Sequence, residues 1–249
     1  MDELVRAITD AADPADARAL AGYFQVRPGG YGEGDVFVGV KLSALRGLAA
    51  SYLREPFVPD RWLPLLCSPV HEHRLITLVV MNERARRSAG ARGDAAELEG
   101  IYRCYLEHTA YVNNWDLVDV SCRAIVGGYL QPRDRAPLYA LARSSSVWER
   151  RIAIVGAQHF LKSDDSSDVF ALAAVLLSDP HDLIHKAVGW SLREAGRRDR
   201  PALRCFLDQH AATMPRTTLR YAIEHFDPDD RRDYLGRRHR LSANPRQSS

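Results

Sequence analysis

The chain has 249 residues, enough for one large domain or two small ones. Its hydrophobic share of 46% is ordinary for a soluble globular protein, and its formal net charge is only +2, with 34 basic and 32 acidic residues. This balance excludes nucleic-acid binding driven by overall charge, so any basic surface must come from uneven placement of the charges.

The side-chain composition points to a reduced, cytosolic protein. Four cysteines lie far apart, without a CxxC pair or zinc spacing, and are expected to be reduced and mostly buried. The first residues, MDELVRAITD, form an acidic amphipathic stretch rather than a signal peptide, and no apolar run approaches the length of a membrane span. Only three basic residues are lysine, and the others are arginine. Either a codon bias or the fit of guanidinium groups to phosphates explains this preference for arginine.

Apolar residues recur at helical spacing along most of the chain, and strands are hard to find. The first four predicted helices have apolar residues at these positions: Leu4 and Ile8; Ala17, Leu20, Tyr23 and Phe24; Leu45, Leu48, Ala49 and Leu53; Leu75, Leu78 and Val79. The segment RPGGYGEGDVFVGV, residues 27–40, interrupts this pattern. Its glycines suggest a phosphate-binding loop, but no Walker lysine follows and no clear strand precedes it, so a connector between helices is favoured.

Beyond residue 110 the predicted helices recur at a step of roughly 34 residues, with a shorter helix between each pair. The long helices are predicted to start near Asn113, Ser146, His181 and Met214, and the short ones cover residues 134–143, 167–177 and 200–210. Two helices per step predict an all-α fold, an α-solenoid whose inner helices line a concave surface. We predict one domain over residues 1–236 and a polar, disordered tail over 237–249.

The helix predicted over residues 181–199 carries Trp190 opposite its apolar stripe. Its neighbours on that side include Lys186 and Arg193, at i−4 and i+3. Two interpretations remain open: the tryptophan is covered by a neighbouring helix, or it forms a stacking or cation-binding surface flanked by phosphate contacts.

Three arginines on two other predicted helices need a counter-ion. Arg151 falls among half-buried positions, where an unpaired charge would be costly, so it requires an acid or a phosphate. Arg216 and Arg220 form an i, i+4 pair of like charge. Either a DNA backbone or an acidic neighbour in the fold would stabilise that pair.

The stretch NNWDLVD places Trp115 and Asp119 one turn apart on the same side of a predicted helix. Asp116 lies in the first turn, where an acid interacts favourably with the helix dipole. Asp119 lies past that turn, within an apolar run. Its structural explanation would be an ion pair with a neighbour such as Arg151.

Four stretches, in this order and spacing, resemble the AlkD-like DNA alkylation repair family of HEAT-like-repeat DNA glycosylases: NNWDLVD, SVWERRIAI, HKAVGWSLRE and HAATMPRTTLRYAIE. The resemblance runs from about Tyr23 to about residue 235. It implies a concave groove for double-stranded DNA, with Trp115, Asp119 and Trp190 as catalytic residues around the damaged nucleotide. By the same resemblance Arg151 and Tyr23 would contact DNA, and we predict further DNA contacts by these basic residues: Lys186, Arg193, Arg216 and Arg220.

Members of that family remove cationic N3- or N7-alkylated purines, carrying small methyl or bulky natural-product groups, without full flipping of the base. Carried over to this chain, Asp119 would stabilise the oxocarbenium-like sugar and orient water. No lysine lies in this cluster, which predicts a monofunctional enzyme. We expect it to act without a metal or other cofactor, as a monomer in the cytoplasm.

Two rival interpretations remain. A helical solenoid can hold DNA or protein without chemistry, but Asp119 is then unexplained, since an acid in a DNA groove repels phosphates. A metal hydrolase would use His71 and His73, or the pair His181 and His185. Neither set forms an HExxH motif, and no third ligand is evident nearby.

Overall fold

The computed structural model describes residues 1–90 and 92–243, with side chains described up to residue 237. In this part of the chain, regular structure is helical apart from an isolated parallel bridge between Val36 and Val70. The predicted all-α fold of the solenoid class is therefore confirmed. None of the described helices is long and apolar enough to span a membrane.

The chain divides into two compact units, Met1–Arg133 and Asp134–Ser249. The first contains α1 (Asp2–Asp10), α2 (Pro14–Tyr23), α3 (Leu42–Ala49), α4 (Pro59–Leu66), α5 (His71–Ser88), α6 (Ala95–Glu107), α7 (Trp115–Cys122) and α8 (Gly128–Leu130). The second contains α9 (Ala136–Leu141), α10 (Val147–Ala157), α11 (Ser167–Leu176), α12 (Asp182–Arg198), α13 (Arg200–His210), α14 (Arg216–Ala222) and α15 (Pro228–Ala243). Short 3-10 turns lie at Ala50–Arg54, Thr109–Tyr111 and Phe160–Ser163, and a π-helical turn, Arg123–Gly127, joins α7 to α8.

The long helices of the predicted repeat begin within two residues of their predicted starts, as α7, α10, α12 and α14. Side-chain caps account for three of these four starts, whereas α14 follows Pro215 without such a cap. The Asn114 side-chain oxygen accepts the N–H of Trp115 at 2.8 Å, and the Ser146 hydroxyl accepts that of Glu149 at 3.5 Å. Capping depends on residues adjacent in sequence, so it could be predicted without the fold.

The C-terminal region differs in part from its prediction. Helix α15 continues to Ala243 and so includes the first residues of the predicted tail. The rest of that tail, 244–249, lies outside the described residues. The single domain over residues 1–236, the HEAT-like character of the repeats and the concave surface stay predictions.

In the first unit the helices α1, α3, α5 and α7 are successive neighbours, and α5 also contacts α4 and α6. Every residue of α5 from Leu75 to Met81 is buried, so this helix has no solvent-facing side there. Three polar residues of its first turn, His71, Glu72 and Arg74, are buried too. Buried polar groups of this kind must be paired within the fold.

In the second unit α12 is the central helix, in contact with α10, α11, α13 and α14. Buried hydrogen bonds join it to its neighbours. Gln158, which follows the last residue of α10, donates from its side-chain nitrogen to the Ser191 hydroxyl at 2.8 Å, and the Thr218 hydroxyl of α14 donates to the His185 carbonyl at 3.1 Å. Helices α10, α12 and α14 are thus successive neighbours, as α3, α5 and α7 are in the first unit.

The buried Glu72 carboxylate fixes the end of the glycine-rich segment 27–40, which connects α2 to α3 as predicted. It accepts backbone N–H groups from Val38 at 3.1 Å, Gly39 at 2.8 Å and Val40 at 3.3 Å. Bonds of a carboxylate to several amides are among the stronger ones in proteins. The segment is therefore held against α5 by its backbone.

We expect Glu72→Gln to lower the free energy of unfolding by about 2 kcal/mol. The substitution replaces one carboxylate oxygen by an amide NH2 group, which cannot accept hydrogen bonds from the backbone N–H groups. Urea denaturation of both proteins measures the loss. Glu83→Gln is the matched control, since Glu83 lies on the same helix, is partly exposed and pairs with Arg86 at 3.3 Å. That control should change stability by less than about 0.5 kcal/mol. Equal stability of the two variants would contradict the capping role of Glu72.

Candidate functional site

Trp115 is the first residue of α7, and its indole lies in a cluster of aromatic side chains. The Phe24 ring stacks beside it, with centroids 5.2 Å apart, and the Tyr23 ring meets it edge-on at 6.0 Å and 75°. The indole N–H reaches the Tyr31 hydroxyl at 3.4 Å. The structure thus brings together Trp115 and Tyr23, which were assigned to one site from the sequence.

This aromatic cluster has a buried base and an exposed edge. Phe24 is buried, Trp115 is half-buried, and Tyr23 is 65% exposed at the end of α2. A tyrosine this exposed gains little from hydrophobic burial, so its ring remains available to a ligand. Two aromatic rings set nearly at right angles are suited to attract a cation through their faces.

Asp119 follows Trp115 by one turn of α7 and is half-buried. Its carboxylate lies close enough to the buried Tyr105 to influence that residue. Burial raises the pKa of Tyr105 well above its usual range, and the neighbouring Cys122 thiol and Asp119 carboxylate add to the effect. Asp119 is therefore a half-buried acid whose charge acts on a buried neighbour.

Asp116, the residue after Trp115, is bonded to a buried histidine. Its carboxylate lies 2.8 Å from His71 Nε2, and the Asp35 carboxylate lies 2.8 Å from His71 Nδ1. Since a carboxylate can only accept, both ring nitrogens must carry protons and the ring is an imidazolium. Burial lowers the pKa of His71, but its hydrogen bonds to the two carboxylates and their charges outweigh burial, so the pKa is raised.

Arg74 extends this network into α5. Its guanidinium donates to Asp35 at 2.6 Å and to the Ser68 carbonyl at 2.9 Å. Burial raises the pKa of Asp35, yet the bonds to His71 and Arg74 bring it below its usual value. Positive and negative groups therefore alternate through Arg74, Asp35, His71 and Asp116, which we call the buried charge chain.

The buried charge chain was missed at the sequence level. Asp116 was assigned only to the helix dipole, whereas it also bonds His71. The available signal was a pair of polar residues, His71 and Arg74, three positions apart and directly before the mostly apolar run Leu75–Met81. Such a pair indicates that buried charges need partners, but not which residues supply them.

In the second unit, Trp190 is half-buried in α12. The predicted basic stripe around it is accompanied by acids. Lys186 pairs with Asp182 at 2.7 Å, and Arg193 pairs with Glu194 at 3.2 Å and with Glu224. These acids neutralise part of the stripe, so its positive charge is smaller than the sequence pattern indicates.

The predicted arginines of the second unit have different surroundings. Arg151 is buried in α10 and donates to the Leu183 carbonyl at 2.8 Å. Arg216 donates to the Leu235 carbonyl at 2.9 Å, while Arg220 is exposed.

Arg150, the residue before Arg151 on α10, is largely buried. Its side chain is 14% exposed, and its guanidinium bonds Asp179 at 2.5 Å. It also donates to the carbonyls of Ser144 and Ser145, at 3.0 and 2.9 Å. The helical period alone does not reveal these contacts, because Asp179 lies beyond the next helix along the chain.

The histidines that suggested a metal site have other partners. Both ring nitrogens of His71 bond carboxylates, and His73 Nδ1 lies 3.0 Å from the Ser68 hydroxyl. His181 Nδ1 accepts a backbone N–H at 3.2 Å, and His185 Nε2 lies 2.5 Å from a carbonyl oxygen. Among the residues that the structure describes, no group of three or more His, Cys, Asp or Glu side chains is arranged to hold a metal ion.

We expect His71→Gln to lower the free energy of unfolding by about 3 kcal/mol, because the Asp116 carboxylate loses the His71 cation and Asp35 keeps only Arg74. The loss should depend on pH. A raised folded-state pKa means that the contribution of His71 is complete below its usual pKa of 6.5 and is lost as pH rises through the folded value. The difference between wild type and variant should therefore be largest below pH 6.5 and shrink as the pH rises above that value.

Urea denaturation at a series of pH values measures this difference. His225→Gln is the matched control, since His225 is exposed in the second unit, and it should show no such difference. His73 and His181 also have altered pKa values, lowered chiefly by burial, but they are common to both proteins and cancel. A difference that stays constant with pH would contradict a charged His71.

Comparison with known proteins gives consistent results. The model of the family described as "DNA alkylation repair enzyme" matches residues 4–226. A comparison with curated proteins gives no match. Among solved structures, one described as "Predicted DNA alkylation repair enzyme from Enterococcus faecalis" is similar at a TM-score of 0.65 and 14% identity, over 87% of this chain and 97% of that chain. At this identity the likeness shows a shared fold, and because the family model spans most of the sequence, the chain belongs to the DNA alkylation repair enzyme family.

Proposed function

We propose that this protein is a monofunctional DNA glycosylase that hydrolyses the N-glycosidic bond of cationic N3- or N7-alkylated purines in double-stranded DNA. Family membership supports a role in DNA repair. The observation that carries the finer proposal is the right-angled pair of Tyr23 and Trp115, with the Asp119 carboxylate one turn further along α7. Aromatic faces beside a carboxylate match a substrate that is cationic before and during bond cleavage.

The aromatic pair would hold the lesion through its charge. An N3- or N7-alkylated purine carries a formal positive charge, which attracts the faces of Trp115 and the exposed Tyr23. This attraction does not require a closed pocket, so a lesion could be held without full flipping of the base. Both small methyl groups and bulky adducts fit such an open arrangement.

Asp119 would act on the sugar rather than on the base. A cationic base leaves readily and needs little general-acid assistance, so the main demand is to stabilise the positive charge that develops on the sugar. A half-buried carboxylate meets that demand and can also orient the attacking water. The chain has no lysine near residues 113–123, so we propose hydrolysis without a Schiff base.

Residues of the second unit would contribute the rest of the DNA contacts. We propose that Trp190 lies against the damaged nucleotide and that Arg151 binds a nearby phosphate through its guanidinium. Contacts with the backbone would come from Lys186, Arg193, Arg216 and Arg220. We further propose that the protein acts as a monomer in the cytoplasm and needs no cofactor.

A non-catalytic scaffold for DNA is the second candidate. The basic residues Lys186, Arg193 and the exposed Arg220 favour it, although the acids paired with Lys186 and Arg193 weaken their attraction for phosphates. It gives no reason, however, for a half-buried acid one turn from an aromatic pair. The glycosylase explains both features, so we prefer it.

We expect the purified protein to release free base from a duplex containing N7-methylguanine or N3-methyladenine and to leave the backbone uncut. Asp119→Asn should slow release by about 100-fold or more, because the developing charge on the sugar loses its counter-ion. Single-turnover assays measure both rates. Asp10→Asn, which removes an exposed acid at the end of α1, is the control and should keep the wild-type rate.

Three results would count against this proposal. Unchanged release by Asp119→Asn would remove the carboxylate from the mechanism. A backbone-cleaved lyase product would contradict a monofunctional enzyme. Tight, salt-sensitive DNA binding by wild type without release from methyl or bulky cationic lesions would support the scaffold.

We expect Arg220→Gln to weaken binding of undamaged duplex and to reduce the slope of log Kd against log salt concentration by about 1, because one phosphate contact is lost. Fluorescence anisotropy at several KCl concentrations gives this slope. Arg6→Gln, an exposed arginine of α1 outside the proposed set, should leave the slope unchanged. Identical slopes for the two variants would remove Arg220 from the DNA contacts.

A further inference from the structure

Tyr31 belongs to the glycine-rich segment 27–40 and contacts two residues of the candidate site. Its hydroxyl donates to the Tyr23 carbonyl at 3.1 Å and accepts the indole N–H of Trp115 at 3.4 Å. A phenol hydroxyl has one proton to donate and lone pairs to accept, so both bonds can form together. This hydroxyl links the backbone of Tyr23 to the ring of Trp115.

We propose that Tyr31 is a positioning residue for Trp115. Its hydroxyl, placed by the glycine turn around it, fixes the indole relative to Tyr23 and so sets the geometry of the face that meets the lesion. The consequence for lesion cleavage rests on the proposed glycosylase activity. The consequence for the indole itself does not depend on that activity.

The glycines on either side of Tyr31 allow the backbone to approach closely. A Cβ atom on Gly30 would lie 1.9 Å from the Gln25 carbonyl oxygen, and one on Gly32 would lie 2.2 Å from the Phe24 carbonyl oxygen. Any other residue at either position would push the turn away from the end of α2. Glycine is therefore required on both sides if Tyr31 is to lie where it does.

The second half of the segment is anchored to the first turn of α5. Asp35 bonds His71 and Arg74 at 2.8 and 2.6 Å, and Glu72 holds the backbone of residues 38–40. The backbone that follows Tyr31 is thus fixed to α5. This bracing ties its position to the same α5 turn that holds Asp116, next to Trp115.

A phosphate-binding role explains this turn less well, because several of its amides are already used. The N–H of Gly29 donates to the Glu33 carboxylate at 2.8 Å, and that of Gly30 donates to a backbone carbonyl at 2.9 Å. The amides of Glu33 and Asp35 donate to carbonyls within the turn, at 3.2 and 3.1 Å. Glycine-rich anion loops instead direct their amides at the ligand.

Loss of the Tyr31 hydroxyl should free the indole to turn about its side-chain torsions. Small misplacements of a binding group reduce catalysis more than affinity when the group is needed in the transition state. We therefore expect Tyr31→Phe to lower kcat for lesion release by about tenfold while KM changes less than about twofold. Gly30→Ala should lower kcat at least as much, because it moves the whole turn.

The decisive measurement is independent of activity. In 15N-labelled full-length protein, the indole N–H resonance of Trp115 is assigned by its absence in Trp115→Phe. In Tyr31→Phe it should move upfield and exchange faster with solvent, because the hydroxyl acceptor is gone. Tyr111→Phe is the matched control, since Tyr111 is 39% exposed in the same unit, and it should leave this resonance unchanged.

An unchanged Trp115 resonance in Tyr31→Phe would overturn the positioning role, whatever the enzyme assays give. A shifted resonance with the expected loss of kcat would support the whole proposal. A shifted resonance with wild-type kcat would overturn the link to catalysis. If wild-type protein released no base at all, the proposed function would fail, while the resonance would still decide whether Tyr31 positions the indole.

Discussion

The buried charge chain Arg74–Asp35–His71–Asp116 is the interaction on which the candidate site depends. Each member needs its neighbours, since an isolated charge at these depths would be costly to bury. Because Asp116 directly follows Trp115, the chain holds the first turn of α7 against that of α5. Because Asp35 belongs to the glycine-rich segment, the same bonds hold that segment as well.

The aromatic cluster is arranged on this charged support. Phe37 stacks on the His71 ring at 4.4 Å, and Phe24 lies between His71 and Trp115, at 5.3 and 5.2 Å from their rings. The exposed Tyr23 is the last ring of the series. The charged residues are therefore buried, and the aromatic rings extend from them to the surface. This arrangement suits a site whose side chains must stay preorganised while they contact a large ligand.

The second unit distributes its positive charge differently from what a basic stripe suggests. Asp179 holds Arg150 inside the fold, while acids on α12 and near the end of α14 accompany Lys186 and Arg193. Exposed pairs of this kind contribute little to stability. They do moderate the local potential, which in a repair protein would limit nonspecific binding to undamaged DNA and leave recognition to the lesion.

The sequence by itself determined the all-helical class and, beyond residue 110, the starts of the repeated helices, because helical periodicity and capping by residues such as Asn114 and Ser146 depend on neighbours in the chain. Family resemblance added Trp115 and Tyr23, which the structure places in contact. Only the tertiary structure decided which distant residues satisfy the buried groups of α5 and how Tyr31 is presented. A polar residue at a buried position shows that a partner is needed, but its identity depends on how helices and connector pack, which no local pattern specifies.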